Sequence, residues 1–255
     1  MLYPTTMFRV NAVDAARAGE AWERFPELMA QAERAGRHFP RKSPIIRPQK
    51  HSMEWRVNVT QLSNADGSAI DGTSAEQLSR AEIQGRRQAA DFFEFLRTSA
   101  PGFENAYVSD IAPQVGIRET RRVLGEYQLT DKDVLGCASF DDTIGVNGWP
   151  IEEHVPGDVV FRWPQIPESR GFNHLPYRML LPLGVDNLLV AGRCASMTHL
   201  GQSAARVSGA CFVMGQAAGT AAALSLGHKI PCRDLSTGEL QKALVRDGAY
   251  LGTTW

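Results

Sequence analysis

Residues 186–224 read DNLLVAGRCASMTHLGQSAARVSGACFVMGQAAGTAAAL. An apolar run, Leu188-Leu189-Val190, stops at Ala191-Gly192-Arg193 and gives way to a long segment of very small residues. The pattern predicts a strand–loop–helix element of an α/β sheet: a buried strand over 187–190, a loop, and one helix from Ser203 to Leu226 ended by Gly227. In such sheets ligands lie beyond the carboxyl ends of the strands, where loops meet helix N-termini. Free N–H groups and the positive end of the helix dipole stabilise an anion or an electron-rich carbonyl there. Gly201, Gln202, Ser203 and Ala204 are expected to present those donors. Gly209, Gly215 and Gly219, with Ala217, Ala218 and Ala221 to Ala223, put hydrogen or methyl over one helical face, which predicts close approach of a neighbour. A tightly packed core helix and a cofactor cradle both fit that pattern.

Working outward, Leu175 to Leu181 reads as a short strand, and Asp133 to Gln165 as an irregular Gly-, Asp- and Trp-rich loop lining a site. GIRETRRVLGEYQLT, starting at Gly116, reads as a strand or strand pair dense in guanidinium, with Arg118 and Arg122 on one face and Arg121 on the other. Such arginines suit a carboxylate or a pyrophosphate, or a salt-bridged surface with Glu119 and Glu126. Nearer the start, Met7 to Val10 and Trp55 to Leu62 alternate as strands. Ala15 to Arg37 has helical apolar spacing despite Pro26, and RHFPRKSPIIRPQK reads as a solvated loop or edge strand. Thr73 to Leu96 is a helix with Ser74 as its cap, Gln77 at the capping-box position, and a stripe of Leu78, Ile83, Ala89, Phe92, Phe93 and Leu96.

The chain has 255 residues, 43% of them hydrophobic, and a formal net charge of -1. That is the composition of a packed globular chain, with no field to draw it to nucleic acid or an anionic membrane. The four cysteines are scattered, with no CxxC and no zinc spacing, which predicts reduced thiols and no metal site. MLYPTTMFRV carries no basic and apolar leader, and Ala210 to Leu226 is broken by glycines and small polar residues, so the expectation is a cytoplasmic protein without a membrane span.

The segment from Asn187 to Ser225, taken with VGIRETRRVLGEYQLTDKDVL, FDDTIGVNGWPIEEH and LPYRMLLPLGVDNLLVAGR upstream of it, resembles the C-terminal flavin-binding part of the FAD-dependent oxidoreductases with a glutathione-reductase-like two-domain fold. The resemblance covers about 114–226. It implies a mixed α/β protein: a β-sheet-and-helix substrate (cap) domain over 1–115, and over 116–255 the C-terminal part of a Rossmann-like FAD-binding domain. FAD is the implied cofactor, with hydride passing to it from a small organic substrate. Gly192 and Arg193 then lie where the last strand meets the ribityl and pyrophosphate groups, with Cys194 beside them. Ser203, Ala204 and Arg206 face the flavin pyrimidine edge. Many relatives of the wider fold carry Asp after that glycine, whereas Arg193 would substitute charge pairing for hydroxyl acceptance.

The family's strand-GxGxxG-helix is not found in this sequence. A fragment, one half of a split enzyme completed by a GxGxxG-bearing partner chain, or a degenerate scaffold each accounts for that. Half of a doubly wound sheet would leave an open edge and an apolar face, which predicts weak flavin binding alone and an oligomeric or partnered state. A non-enzymatic interaction subunit that keeps the fold is the alternative. Among candidate catalytic groups, His154 ends the WPIEEH segment and is placed to move the proton accompanying hydride transfer, while Arg118 is placed to hold a substrate carboxylate. His199 has a similar claim by position.

Overall fold

The computed structural model describes residues 1–164 and 171–252. They divide into two compact units, the first Met1–Arg118 with His154–Val159, the second Glu119–Glu153 with the described residues from Val160 onward. The chain is of mixed α/β class.

The first unit contains β1 (Phe8–Asn11), α1 (Ala15–Ala18), α2 (Ala21–Arg34), β2 (Ile45–Pro48), β3 (Trp55–Asn58), α3 (Ala75–Ser99) and β4 (Tyr107–Ile111). Its strands form one antiparallel sheet in the order β2-β3-β1-β4. Alternation decides which face is buried: Phe8, Val10, Trp55 and Val57 enter the core while Arg9 and Arg56 stay in water. Phe25 and Met29 of α2 and Ala89, Phe92, Phe95 and Leu96 of α3 meet that face. The Ser74 side chain accepts the Gln77 N–H and so caps α3. Gln77 does not complete a capping box; its carbonyl accepts from Asp71 N–H and the Asn64 amide.

Other expectations change in this unit, beginning with the helix read over Ala15 to Arg37, which is α1 and α2 separated at Gly19 and Glu20. Ile83, read as part of the α3 stripe, is exposed, and the buried face runs instead through Ala81 and Gly85. Gly85 is needed because a methyl there would overlap the Thr6 side chain. The basic segment at 37–50 does supply an edge strand, β2, but it is not simply solvated: Arg41 is buried and donates to Asn58 Oδ1 at 3.0 Å.

The second unit comprises α4 (Asp131–Leu135), β5 (Thr143–Asn147), most of the hairpin of β6 (Ile151–Val155) and β7 (Asp158–Arg162), then β8 (Asn173–Pro176), α5 (His199–Ala205), α6 (Ser208–His228) and α7 (Thr237–Arg246). The stretch read as an irregular loop from Asp133 is therefore largely α4, β5, β6 and β7; Gln165, its expected end, lies outside the described residues. Pro156-Gly157 makes the β6–β7 turn, with Gly157 at φ +76. β5 pairs antiparallel with β8. The core gathers Leu175, Tyr177, Met179 and Leu180 against Met214, Ala217 and Ala221 of α6 and Leu240 and Leu244 of α7.

The opening stretch and the segment before it depart from their readings. Residues 187–190 form no strand, and Leu188 is exposed, because the segment has no ladder to join; the Val190 N–H goes singly to Leu180 O. Leu175 to Leu181 is β8 followed by a 3-10 turn at Tyr177–Leu180. The long helix is two helices, broken where Val207 takes an extended conformation (ψ 156), and α6 ends not at Gly227 but at Lys229 in the left-handed region (φ 58). Among the described residues the second unit holds paired strands that are antiparallel, with one isolated parallel bridge, Leu129–Met197. Residues 116–129 likewise make isolated bridges rather than a strand.

α6 carries an open face. Phe212 and Leu226 are 75% and 80% exposed, and nothing lies within 4 Å of a methyl built on Gly209, Gly215 or Gly219. The close approach expected of those glycines is thus not made among the described residues. By length and composition α6 could cross a membrane, with 28% of its apolar window buried.

Candidate functional site

The start of the site is the junction of α5 and α6. Thr198 caps α5, its hydroxyl accepting the Gly201 N–H at 3.1 Å and its carbonyl the Gln202 N–H at 2.9 Å. Arg206 N–H closes on Gln202 O at 3.0 Å. Ser203 and Ala204 are fully buried inside this short helix, so their N–H groups belong to its own ladder and do not form the open N-terminus expected of them. That terminus is instead at Ser208, Gly209 and Ala210 of α6, whose cap residue Val207 makes no side-chain cap bond.

Gly192, Arg193 and Cys194 form a 3-10 turn packed against α5 and α6. Gly192 has φ +80, a conformation open to glycine and costly for residues with a Cβ, and a methyl there would sit 3.9 Å from Cys211 Sγ. Arg193 and Cys194 are exposed. The Cys211 thiol donates to Arg206 O at 3.2 Å; burial pushes its pKa up, against the opposing charges of Arg193 and Arg206.

Arg206 is largely shielded, with 10% of its side chain exposed. Its Nη2 donates to Glu152 O at 3.3 Å and lies 3.6 Å from Glu152 Oε1, while its Nε is buried without a hydrogen-bond partner. Burial lowers the guanidinium pKa, and the charges of Glu152 and Glu119 oppose that shift. Trp149 Nε1 donates to Glu152 Oε2 at 2.8 Å, fixing the carboxylate from its other side.

Beside this pair, Glu119 is buried with 3% of its side chain exposed. Both its oxygens stand 2.9 Å from His199 Nδ1, and Arg122 Nη1 donates to Oε1. Arg122 Nε donates to Met197 O at 2.9 Å, which pins the guanidinium. His199 Nε2 lies 4.0 Å from Glu153 Oε1, and Glu153 is held by Arg162 Nη2 at 2.7 Å.

The structure thus brings Gly192, Arg193, Cys194, Ser203, Ala204 and Arg206 together around the α5–α6 junction. Arg118 and His154 belong to the first unit. Arg118 Nη1 donates to Tyr3 O at 2.8 Å, and the His154 imidazole is buried. Glu119 and Glu152 escaped the sequence reading as site members. A buried carboxylate looks like any surface glutamate until its partners are known, and both partners here, His199 and Arg206, are distant in sequence. Asp142 makes a pair of another kind, accepting from Arg178 Nε at 2.9 Å. Among the described residues no group of three or more His, Cys, Asp or Glu side chains is placed to hold a metal ion.

An uncapped helix start, a backbone turn that needs glycine and an orphaned buried guanidinium nitrogen form a donor set suited to an electron-rich, anionic ligand. Comparisons with curated proteins and with solved structures return no match. Comparison with protein families matches residues 2–244, nearly the whole chain, to the family described as FAD dependent oxidoreductase, and the chain belongs to that family.

Proposed function

We propose that the second unit supplies part of the FAD cradle of an oxidoreductase that takes hydride from a small organic substrate, the first unit being its substrate domain. The observation that carries this reading is the donor set at the α5–α6 junction in a chain of this family. The residues fit the cofactor: N–H groups of Ser208, Gly209 and Ala210 suit the flavin's pyrimidine edge, where negative charge accumulates on reduction. Gly192 lets backbone approach the ribityl chain, and Arg193 suits the pyrophosphate. FAD, when bound, supplies the two-electron acceptor.

The exposed face of α6, with Phe212, Gly215, Gly219 and Leu226, supports a further part of the reading. A glycine-lined apolar face suits close packing against another backbone. In this proposal a GxGxxG-bearing polypeptide covers it and completes the cradle. The test is to purify the chain alone and together with such a polypeptide and to measure bound flavin by absorbance. Flavin retained by the pair, lost with Phe212→Asp and weakened by Arg193→Ala, is the expected result. Flavin absent from every preparation would overturn it. The same face also favours a non-enzymatic interaction subunit, which predicts that the partner binds Phe212 without flavin.

A further inference from the structure

We propose that Glu119 and His199 form a proton-accepting pair, in which His199 Nε2 takes the hydroxyl or amine proton of a substrate oxidised at the adjacent C–H. This rests on the flavin reading above. Three features separate the pair from an ordinary ion pair. Glu119 is buried and already has a permanent counter-charge in Arg122, so it needs no second cation for neutrality. The imidazole nevertheless points Nδ1 at both carboxylate oxygens, at 2.9 Å each. That contact selects the tautomer with hydrogen on Nδ1 and leaves the lone pair on Nε2, the ring nitrogen not bonded to Glu119, the arrangement of a base oriented by a carboxylate. The side chain is 37% exposed, and Glu153, whose Oε1 lies 4.0 Å from Nε2, is too far to hydrogen-bond it.

His199 also shares one short helix with the Arg206 end of the donor set. His199 opens α5 and Arg206 closes it, a span of about 10 Å at 1.5 Å per residue. Thr198 fixes the imidazole's base by its cap and by its N–H to Leu129 O at 2.9 Å. In the reaction the substrate C–H bond breaks, its hydrogen leaving with both electrons to the flavin as oxidant. The O–H or N–H bond breaks with its proton passing to Nε2, and a C=O or C=N bond forms. The imidazolium so produced is stabilised by Glu119 and returns its proton to water through its exposed edge. His199 is the catalytic residue and Glu119 the positioning residue.

Two measurements test the pair. The first needs no flavin: ¹⁵N chemical shifts of histidine-labelled chain, at about pH 8.5, above the ordinary imidazole range, report the tautomer. His199 is expected with hydrogen on Nδ1, and Glu119→Gln is expected to release that preference. Hydrogen on Nε2 in the unaltered chain overturns the proposal. The second uses the flavin-loaded complex and follows loss of flavin colour with benzyl alcohol and benzylamine as probes. His199→Gln is expected to slow reduction about 10²–10⁴-fold at unchanged flavin content, and Glu119→Gln to slow it with little change in half-saturating probe. Unaltered rates, or flavin reduced by neither probe, overturn the proposal. A complex that never takes up flavin defeats the cofactor reading instead, and the tautomer then decides the pair.

Discussion

Gly201 of α5 lies against the Leu129 carbonyl oxygen so closely that a methyl group on its Cα would overlap it. The obstacle is backbone, tied at the same place by Thr198 N–H to Leu129 O, so it cannot swing aside. Gly201→Ala is therefore expected to displace α5 or the 129 segment and to cost about 1–3 kcal/mol, as overpacking does. Thermal unfolding measures this. An unchanged midpoint would mean that α5 does not sit where it is described.

Arg206→Met should cost more, about 3–5 kcal/mol, because it removes the cation 3.6 Å from the Glu152 carboxylate, which is 9% exposed. Replacing Glu152 by Gln in the same chain should recover a large part of the loss. Urea unfolding of the single and double variants checks it; equal losses for both would show that the two groups do not act as a pair.

Tyr127 donates its hydroxyl to Asp133 Oδ1 at 2.9 Å, and burial, that bond and the neighbouring carboxylate push its pKa up to about 12. In the unfolded chain the phenol ionises at its ordinary pKa near 10. Between those values the unfolded state loses the proton and the folded state keeps it, so stability is intact below about pH 10 and falls as pH rises toward 12. Tyr127→Phe should flatten that alkaline slope. Stability of both chains across this window is the measurement, and parallel slopes would count against the assignment.

Thiol labelling should separate the cysteines. Cys194 is exposed and should react first, and Cys232, which is buried, should react only on unfolding. Cys211 should react slowly because burial raises its pKa, and Arg193→Ala should slow it further by removing a charge that lowers it. Faster labelling of Cys211 in that variant would contradict the placement of Arg193.

How far these groups could be foreseen follows from the reach of each signal. Strands β1 and β3 and helix α3 show in local pattern, since alternation and a Ser cap act within a few residues. Asn147-Gly148 and Pro156-Gly157 mark strand ends inside 133–164, local signals that the irregular composition of the stretch hides. The break at Arg206–Val207 has no Gly or Pro to announce it. It shows only with Arg206 drawn to Glu152, a residue 54 positions away.

Sequence alone determined the family resemblance, the mixed α/β class, the glycine turn at Gly192 and the small-residue character of α6, because each is written in contiguous residues whose steric demands are local. Tertiary structure decided that the open helix terminus is at Ser208 rather than Ser203, that Glu119 holds His199, and that Glu152 neutralises Arg206. Those are pairings of charge in a buried setting, and the energy of a buried charge depends on which distant partner reaches it.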